Sequence, residues 1–162
     1  MTYHIRKAGP LDARSLADLL NEIIAIGGTT AYVRDKSADD LIKIMQTENA
    51  VWYLAEDEKG RVLGFQWIEP STDSPADIAS IASFVRVGGT GLGVGSNLFA
   101  EMCDAARAHG YRAIDAIIRA DNTGGLAYYQ SRGFETIKML KDVTLDDGTC
   151  VDKIWKRYSL TR

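Results

Sequence analysis

The stretch from Val85 to Gly95, Val-Arg-Val-Gly-Gly-Thr-Gly-Leu-Gly-Val-Gly, sets five glycines between an apolar run and a helical one. No other part of the chain limits the fold as strongly. A strand that ends in a glycine turn and enters a helix leaves the first N–H groups of that helix unpaired, with the positive end of its dipole behind them. Such a turn holds phosphate. Glycine lets a ligand approach the main chain and tolerates positive φ, where side chains would block the approach.

The other elements can be placed around this turn. Thr2–Lys7 alternates, with Tyr3 and Ile5 on one side, and reads as a first strand. Pro10 and Asp12 start a helix whose Leu16, Leu19, Leu20, Ile23 and Ile24 form a buried stripe, ended by Gly27 and Gly28. Ser37 to Asp40 resembles a capping box with Asp in place of Glu, and leads into a second helix through Leu41, Ile44 and Met45. Val51–Glu56 and Arg61–Ile68, joined by Asp57 to Gly60, read as an antiparallel hairpin. Ile78–Val87 is then a strand and Leu92–His109 a helix closed by Gly110. Arg112–Ile118 is another strand, and Asn122 caps a short helix that runs to Arg132 and stops at Gly133. Phe134–Leu145 and Thr149–Tyr158 flank Asp146-Asp147-Gly148 as a last hairpin. The predicted order is β-α-α-β-β-β-α-β-α-β-β, an α+β fold with a mixed, mostly antiparallel sheet flanked by helices.

No repeat or internal linker interrupts this order, and residues 1–162 are expected to form one domain. With 46% hydrophobic and 25% charged residues the composition is that of an ordinary globular protein. The formal net charge of −3 and the lack of a basic block argue against nucleic acid or an anionic membrane as main partner, and lean mildly towards a cationic one such as an amine. Cys103 and Cys150 have no paired spacing and no histidine beside them, so they read as reduced packing residues rather than a metal or redox site. The N-terminus lacks a signal-peptide core and no apolar run approaches a membrane span, so a cytoplasmic protein is expected.

Spacing separates three phosphate-binding schemes. A P-loop needs a lysine to reach the phosphates, and there is no lysine between Gly60 and Ile137. A dinucleotide fingerprint needs a third glycine, where this chain has Ser96 or Leu98; Asp115, at roughly the distance of the acidic partner, falls mid-strand. The third scheme covers much more of the chain. Thr90-Gly91-Leu92-Gly93-Val94-Gly95 resembles the acyl-CoA pyrophosphate loop Q/R-x-x-G-x-G/A of the GNAT superfamily of N-acetyltransferases, with Thr90 in the Gln/Arg position. Asn122 to Phe134 resembles that family's second motif, N-x-x-A-x-x-x-Y-x-x-x-G-F, with Gly125 where Ala is usual. Losing the Gln/Arg side chain at Thr90 removes one phosphate contact, worth about 1 kcal/mol.

The resemblance implies transfer of an acetyl group from acetyl-CoA to a primary amine, which needs a neutral amine, stabilisation of an oxyanion and a proton for the departing thiolate. It assigns Val85 and Val87 to the pantetheine arm and thioester. Gly91, Leu92, Gly93, Val94, Gly95 and Ser96 fall on the pyrophosphate, and Asn122 orients the pantetheine. Tyr129 is the implied proton donor, a role its ordinary pKa of about 10 suits; Tyr128 beside it reads as core. Glu69 is the first choice of general base, with Glu22 and Asp77 as competitors and a base-free reaction also open. The acceptor site is expected between the first two helices and the last hairpin, at Thr29 and Tyr32, with Trp67 and Phe84 as wall. A small-molecule acceptor, direct transfer in a ternary complex, no metal and a homodimer complete the expectation. The rival from another class is a CoA-binding sensor that kept the fold without turnover.

Overall fold

The computed structural model describes residues 2–86 and 93–161. Its elements follow the predicted order: β1 (Tyr3–Lys7), a 3₁₀ turn (Pro10–Asp12), α1 (Ala13–Ile26), α2 (Ala38–Met45), β2 (Val51–Asp57), β3 (Val62–Pro70), β4 (Ile78–Val85), α3 (Val94–Ala108), β5 (Ala113–Arg119), α4 (Thr123–Arg132), β6 (Glu135–Thr144) and β7 (Cys150–Ser159).

Local chemistry explains most boundaries. The α1 stripe ends where Gly27 adopts φ +81°, a conformation that side chains rarely take. At α2 the Ser37 hydroxyl accepts from the Asp40 N–H at 3.1 Å, and the Asp40 carboxylate accepts from the Ser37 N–H at 2.8 Å, so the shorter acid still closes a capping box. Asp12 does not cap α1 with its side chain. Its carboxylate instead accepts from the Gly9 N–H and from Arg6, which draws it well below the usual carboxylate range.

The strands form one seven-stranded sheet in the order β1-β2-β3-β4-β5-β7-β6. Among the described residues only β4 and β5 pair in parallel, with α3 as the crossover between them. On one face α1 and α2 bury Leu16, Leu19, Leu20 and Leu41 against Trp52, Leu54, Phe65, Trp67 and Phe84. Each fully buried leucine contributes about 1.5–3 kcal/mol. On the other face Phe99 and Met102 of α3 and Tyr129 of α4 pack on Ile68, Ile81, Ile114 and Ile118.

The parallel pair holds for three residues only: Ile78, Ala79 and Ser80 of β4 lie opposite Ala113, Ile114 and Asp115 of β5. Beyond Ser80, β4 continues on β3 as far as Val85, while β5 continues on β7 as far as Arg119. The two strands therefore part, and the edge of β4 past Ser80 has no strand partner among the described residues. Asp115 stands at the point of parting. Its buried carboxylate accepts from Arg157 Nε at 2.7 Å, from Trp155 Nε1 at 2.8 Å and from the Ser74 hydroxyl at 3.1 Å, which fastens β5 to β7.

Candidate active site

A cavity of about 550 Å³ fills the gap between the diverging strands, at the C-terminal ends of the parallel pair, where ligands of open α/β sheets bind. One end is made by Gly93, Gly95 and Ser96 at the start of α3; the other is made by Thr29 to Tyr32, after α1. Ser83, Phe84 and Val85 form one wall, with Tyr128, Tyr129 and Arg132 of α4 opposite.

Gly93 caps α3 at φ +72°, so the turn requires glycine there. Gly95 is needed for a different reason: a Cβ would come within 3.0 Å of the Tyr128 ring. Val94 points into the core, fully buried with Leu63 and Leu98, and only its main chain is left to face a ligand. Val87, Gly91 and Leu92 lie outside the described residues, as does Thr90.

Tyr129 is buried, and its hydroxyl donates to Ser83 Oγ at 2.9 Å across the cleft. Burial raises the phenol well above its usual range, only partly offset by the hydrogen bond to Ser83. It is protonated at neutral pH. Tyr128 is more than core. Its hydroxyl donates to the Gly95 carbonyl at 2.7 Å and accepts from Gln66 Nε2 at 2.9 Å, tying α4, α3 and β3 together; burial pushes its pKa up to about 12.

Asn122 caps α4 by accepting from the Gly125 N–H at 2.9 Å, while its amide donates to the Thr29 carbonyl at 3.0 Å. It lines the cavity, yet both ends of its side chain are committed to protein. Arg119 donates to the Thr30 carbonyl at 3.2 Å and pairs with Asp121. Two side chains at the end of the cleft thus hold the Thr29–Tyr32 loop. Tyr32 closes that end by stacking on Phe84, ring centroids 6.4 Å apart.

Glu69 and Trp67 sit behind this wall, not in it. Trp67 is buried in a stack with Trp52, Phe65 and Phe84, and it hydrogen-bonds the Glu69 carboxylate, as does Thr47. The indole N–H is the only donor of that side chain. Burial raises the pKa of Glu69 more than these bonds lower it, and the carboxylate is near enough to raise that of Tyr32 as well. The competing acids are spoken for: Glu22 pairs with Arg86 at 2.8 Å and Asp77 with Arg112 at 2.7 Å. Asp115 is taken up by Arg157, Trp155 and Ser74.

Ser83, Gln66 and Arg132 have no place in the two sequence motifs. Ser83 and Gln66 become legible only through the register, which points both at α4. Arg132 carried a signal, since it follows Tyr128 by four residues and therefore shares its helix face; its guanidinium lies 5.5 Å from the centroid of that ring.

The model of the acetyltransferase (GNAT) family matches residues 16–134. The chain belongs to that family, and it is an acetyltransferase. The N-acetyltransferase from Staphylococcus aureus Mu50 shares its fold with a TM-score of 0.87 at 22% identity, over 99% of this chain and 100% of the other. A GNAT superfamily phosphinothricin acetyltransferase from Sinorhizobium meliloti, in complex with AcCoA, gives 0.86 at 22% identity, over 98% and 89%. The ribosomal-protein-alanine N-acetyltransferase from Brucella melitensis gives 0.85 at 23% identity, over 96% and 99%. These two differ in their named acceptors, and at such identities the likeness is one of fold. No curated protein matches the chain by sequence.

The tie through Tyr128 has a measurable worth. Tyr128→Phe leaves the buried Gln66 amide with no partner, a loss of about 1–3 kcal/mol. Chemical denaturation is expected to show it, and Gln66→Met in the Tyr128→Phe background is expected to recover most of it by removing the stranded amide.

Proposed function

We propose that the protein transfers an acetyl group from acetyl-CoA to the primary amine of a small molecule, by direct transfer in a ternary complex. The observation that carries this reading is one continuous cavity with two unlike ends. The start of α3 presents main-chain N–H groups and a positive dipole, as a phosphate-bearing donor needs, and the Thr29–Tyr32 loop presents small polar and aromatic groups to an acceptor. Donor and acceptor share one space, so no enzyme group has to carry the acetyl between them. Neither cysteine is suited to carrying it, since Cys103 is buried with its pKa pushed up to about 11, and Cys150 is exposed on the hairpin of β6 and β7.

The residues present fit acetyl-CoA. No acidic side chain is among the described cavity lining, and the unpaired edge of β4 offers main-chain donors and acceptors to the amides of a pantetheine arm. In this reading Val85 and Val87 face that arm, and Gly91 to Ser96 face the pyrophosphate. Acetyl-CoA supplies the activated acyl group. Asn122 acts by holding the Thr29 loop against α4, a positioning role in place of direct contact with the pantetheine.

Tyr129 reaches the reaction protonated, with Ser83 as its resting acceptor, and serves by turning its O–H to the sulfur as negative charge develops there. Glu69 would accept the amine proton through water, from behind Tyr32, with Trp67 and Thr47 holding the carboxylate. A small amine is taken as the acceptor over a protein terminus, with Ile23, Ile26 and Ile117 as apolar lining beside the Thr29–Tyr32 loop. Free cysteines agree with a cytoplasmic setting. A homodimer is supported by β6, an edge strand that leaves Ile137 and Met139 exposed.

An assay of thiol release from acetyl-CoA over a panel of amines tests the function; failure of every amine class to elicit release refutes it. Tyr129→Phe is expected to lower turnover by about 10²-fold, a general-acid contribution, while the Kd for CoA stays within about twofold; unchanged turnover, with product release shown not to limit it, removes that role. For Glu69, kcat/KM of the wild type is expected to fall as pH drops through a carboxyl pKa above the usual range, since only the deprotonated form is a base. Glu69→Gln should abolish that limb, and an unshifted profile rules Glu69 out. Light scattering should give twice the mass of the 162-residue chain; a monomeric mass at assay concentration refutes the dimer.

A further inference from the structure

Arg132 is the one cation in the described cavity lining that has no carboxylate partner among the described residues; Arg119, the other, is neutralised by Asp121. It stands in the last turn of α4, where a basic side chain ordinarily complements the C-terminal end of its own helix. Its head does not remain there. Nη1 donates to Ser96 Oγ in the first turn of α3, and the guanidinium packs over the Tyr128 ring, whose hydroxyl grips the Gly95 carbonyl of that same turn.

A cation held against the N-terminus of a helix meets a positive pole, which repels it. Here the two positive groups lie together on a cavity wall with no acid among the described lining residues, on a chain whose net charge is −3. An anion bound between them reverses the sign of the interaction for both. At the position where the family pattern has Gln or Arg, this chain has the short, neutral Thr90.

We infer that Arg132 is a phosphate-binding residue of the acetyl-CoA site, supplying from α4 a long cationic side chain in a sequence whose loop motif has Thr90 in place of Gln or Arg. The inference rests on the acetyl-CoA reading above. Tyr128 serves it as a positioning residue, since the guanidinium lies over its ring, and Ser96 holds the guanidinium at the α3 turn. A planar guanidinium can offer two parallel donors to phosphate oxygens, so lysine is not its equivalent.

Calorimetric titration of the full chain with coenzyme A, and separately with pantetheine, which carries no phosphate, tests this. Arg132→Ala is expected to raise the Kd for coenzyme A about tenfold, a change of 1.4 kcal/mol, and to leave that for pantetheine within about twofold. Arg132→Lys should fall between. The dependence of the coenzyme A Kd on salt should also be shallower in Arg132→Ala than in the wild type, because one charge–charge contact is gone. That measurement needs no detectable pantetheine binding. A merely structural Arg132, complementing the end of α4, would weaken both ligands alike or neither. Equal weakening, or an unchanged Kd and salt dependence for coenzyme A, overturns the inference while the acetyl-CoA reading stands. A wild type that binds no coenzyme A overturns both.

Discussion

The parting of β4 from β5 is the constraint on which the other features of the site depend. Parallel pairing between them stops at Ser80 and Asp115, and each strand is held elsewhere: β4 by its ladder with β3, β5 by its ladder with β7. Asp115 secures the second ladder at the fork. Removing a buried carboxylate from water costs several kcal/mol unless it is well paired, and here both of its oxygens accept from Arg157, with Trp155 and Ser74 completing the shell. A carboxylate so fully engaged is structural. It leaves the described cavity lining free of acid at the fork.

Two adjacent tyrosines on α4 then divide the work across that wedge. Neighbours in a helix point about 100° apart, so although both line the cavity their hydroxyls reach different partners. Tyr129 spans the cleft to Ser83 at the level of the thioester in the proposed reaction, whereas Tyr128 reaches the first turn of α3 and locks it to Gln66. In the proposed reaction the first supplies a proton; the second fixes the first turn of α3 beside it. Directionality follows from the chemistry, since the Gly95 carbonyl can only accept, so Tyr128 must donate to it and Gln66 must donate to Tyr128.

At the proposed acceptor end, the loop after α1 is held in a corresponding way. Asn122 and Arg119 bind the carbonyls of Thr29 and Thr30, so a loop of small residues is held at the mouth of the cavity by side chains from the sheet and α4. Behind it, the stack of Trp52, Phe65, Trp67 and Phe84 provides a stiff wall on which Tyr32 rests. In the proposed reaction Glu69, half-buried at the far side of that wall, would act through water and not by touching the substrate.

Much of this was legible in the amino-acid sequence because it is governed by neighbours in the chain. Element order followed from periodicity, helix ends from Ser37, Gly27, Asn122 and Gly133, and the family from two spaced motifs. The hairpin of β6 and β7 showed the limit of such reading. Its two irregularities, between Thr136 and Lys138 and between Leu140 and Val143, reflect pairing with a distant strand and have no local marker. The same holds for the side chains that share a site. Trp67 looked like a wall residue and lies behind the wall, because the face it presents is set by its pairing with Trp52 and Ala82. Local rules determined which segments would be strands, helices and turns, including a turn fit for phosphate. Tertiary packing alone decided where the sheet would open and which partner each of the two tyrosine hydroxyls would reach. It also brought Arg132, some forty residues beyond the glycine loop, to the first turn of α3, since contacts between remote segments are set by the energy of the whole packed core, and the i, i+4 spacing from Tyr128 marks only a shared helix face.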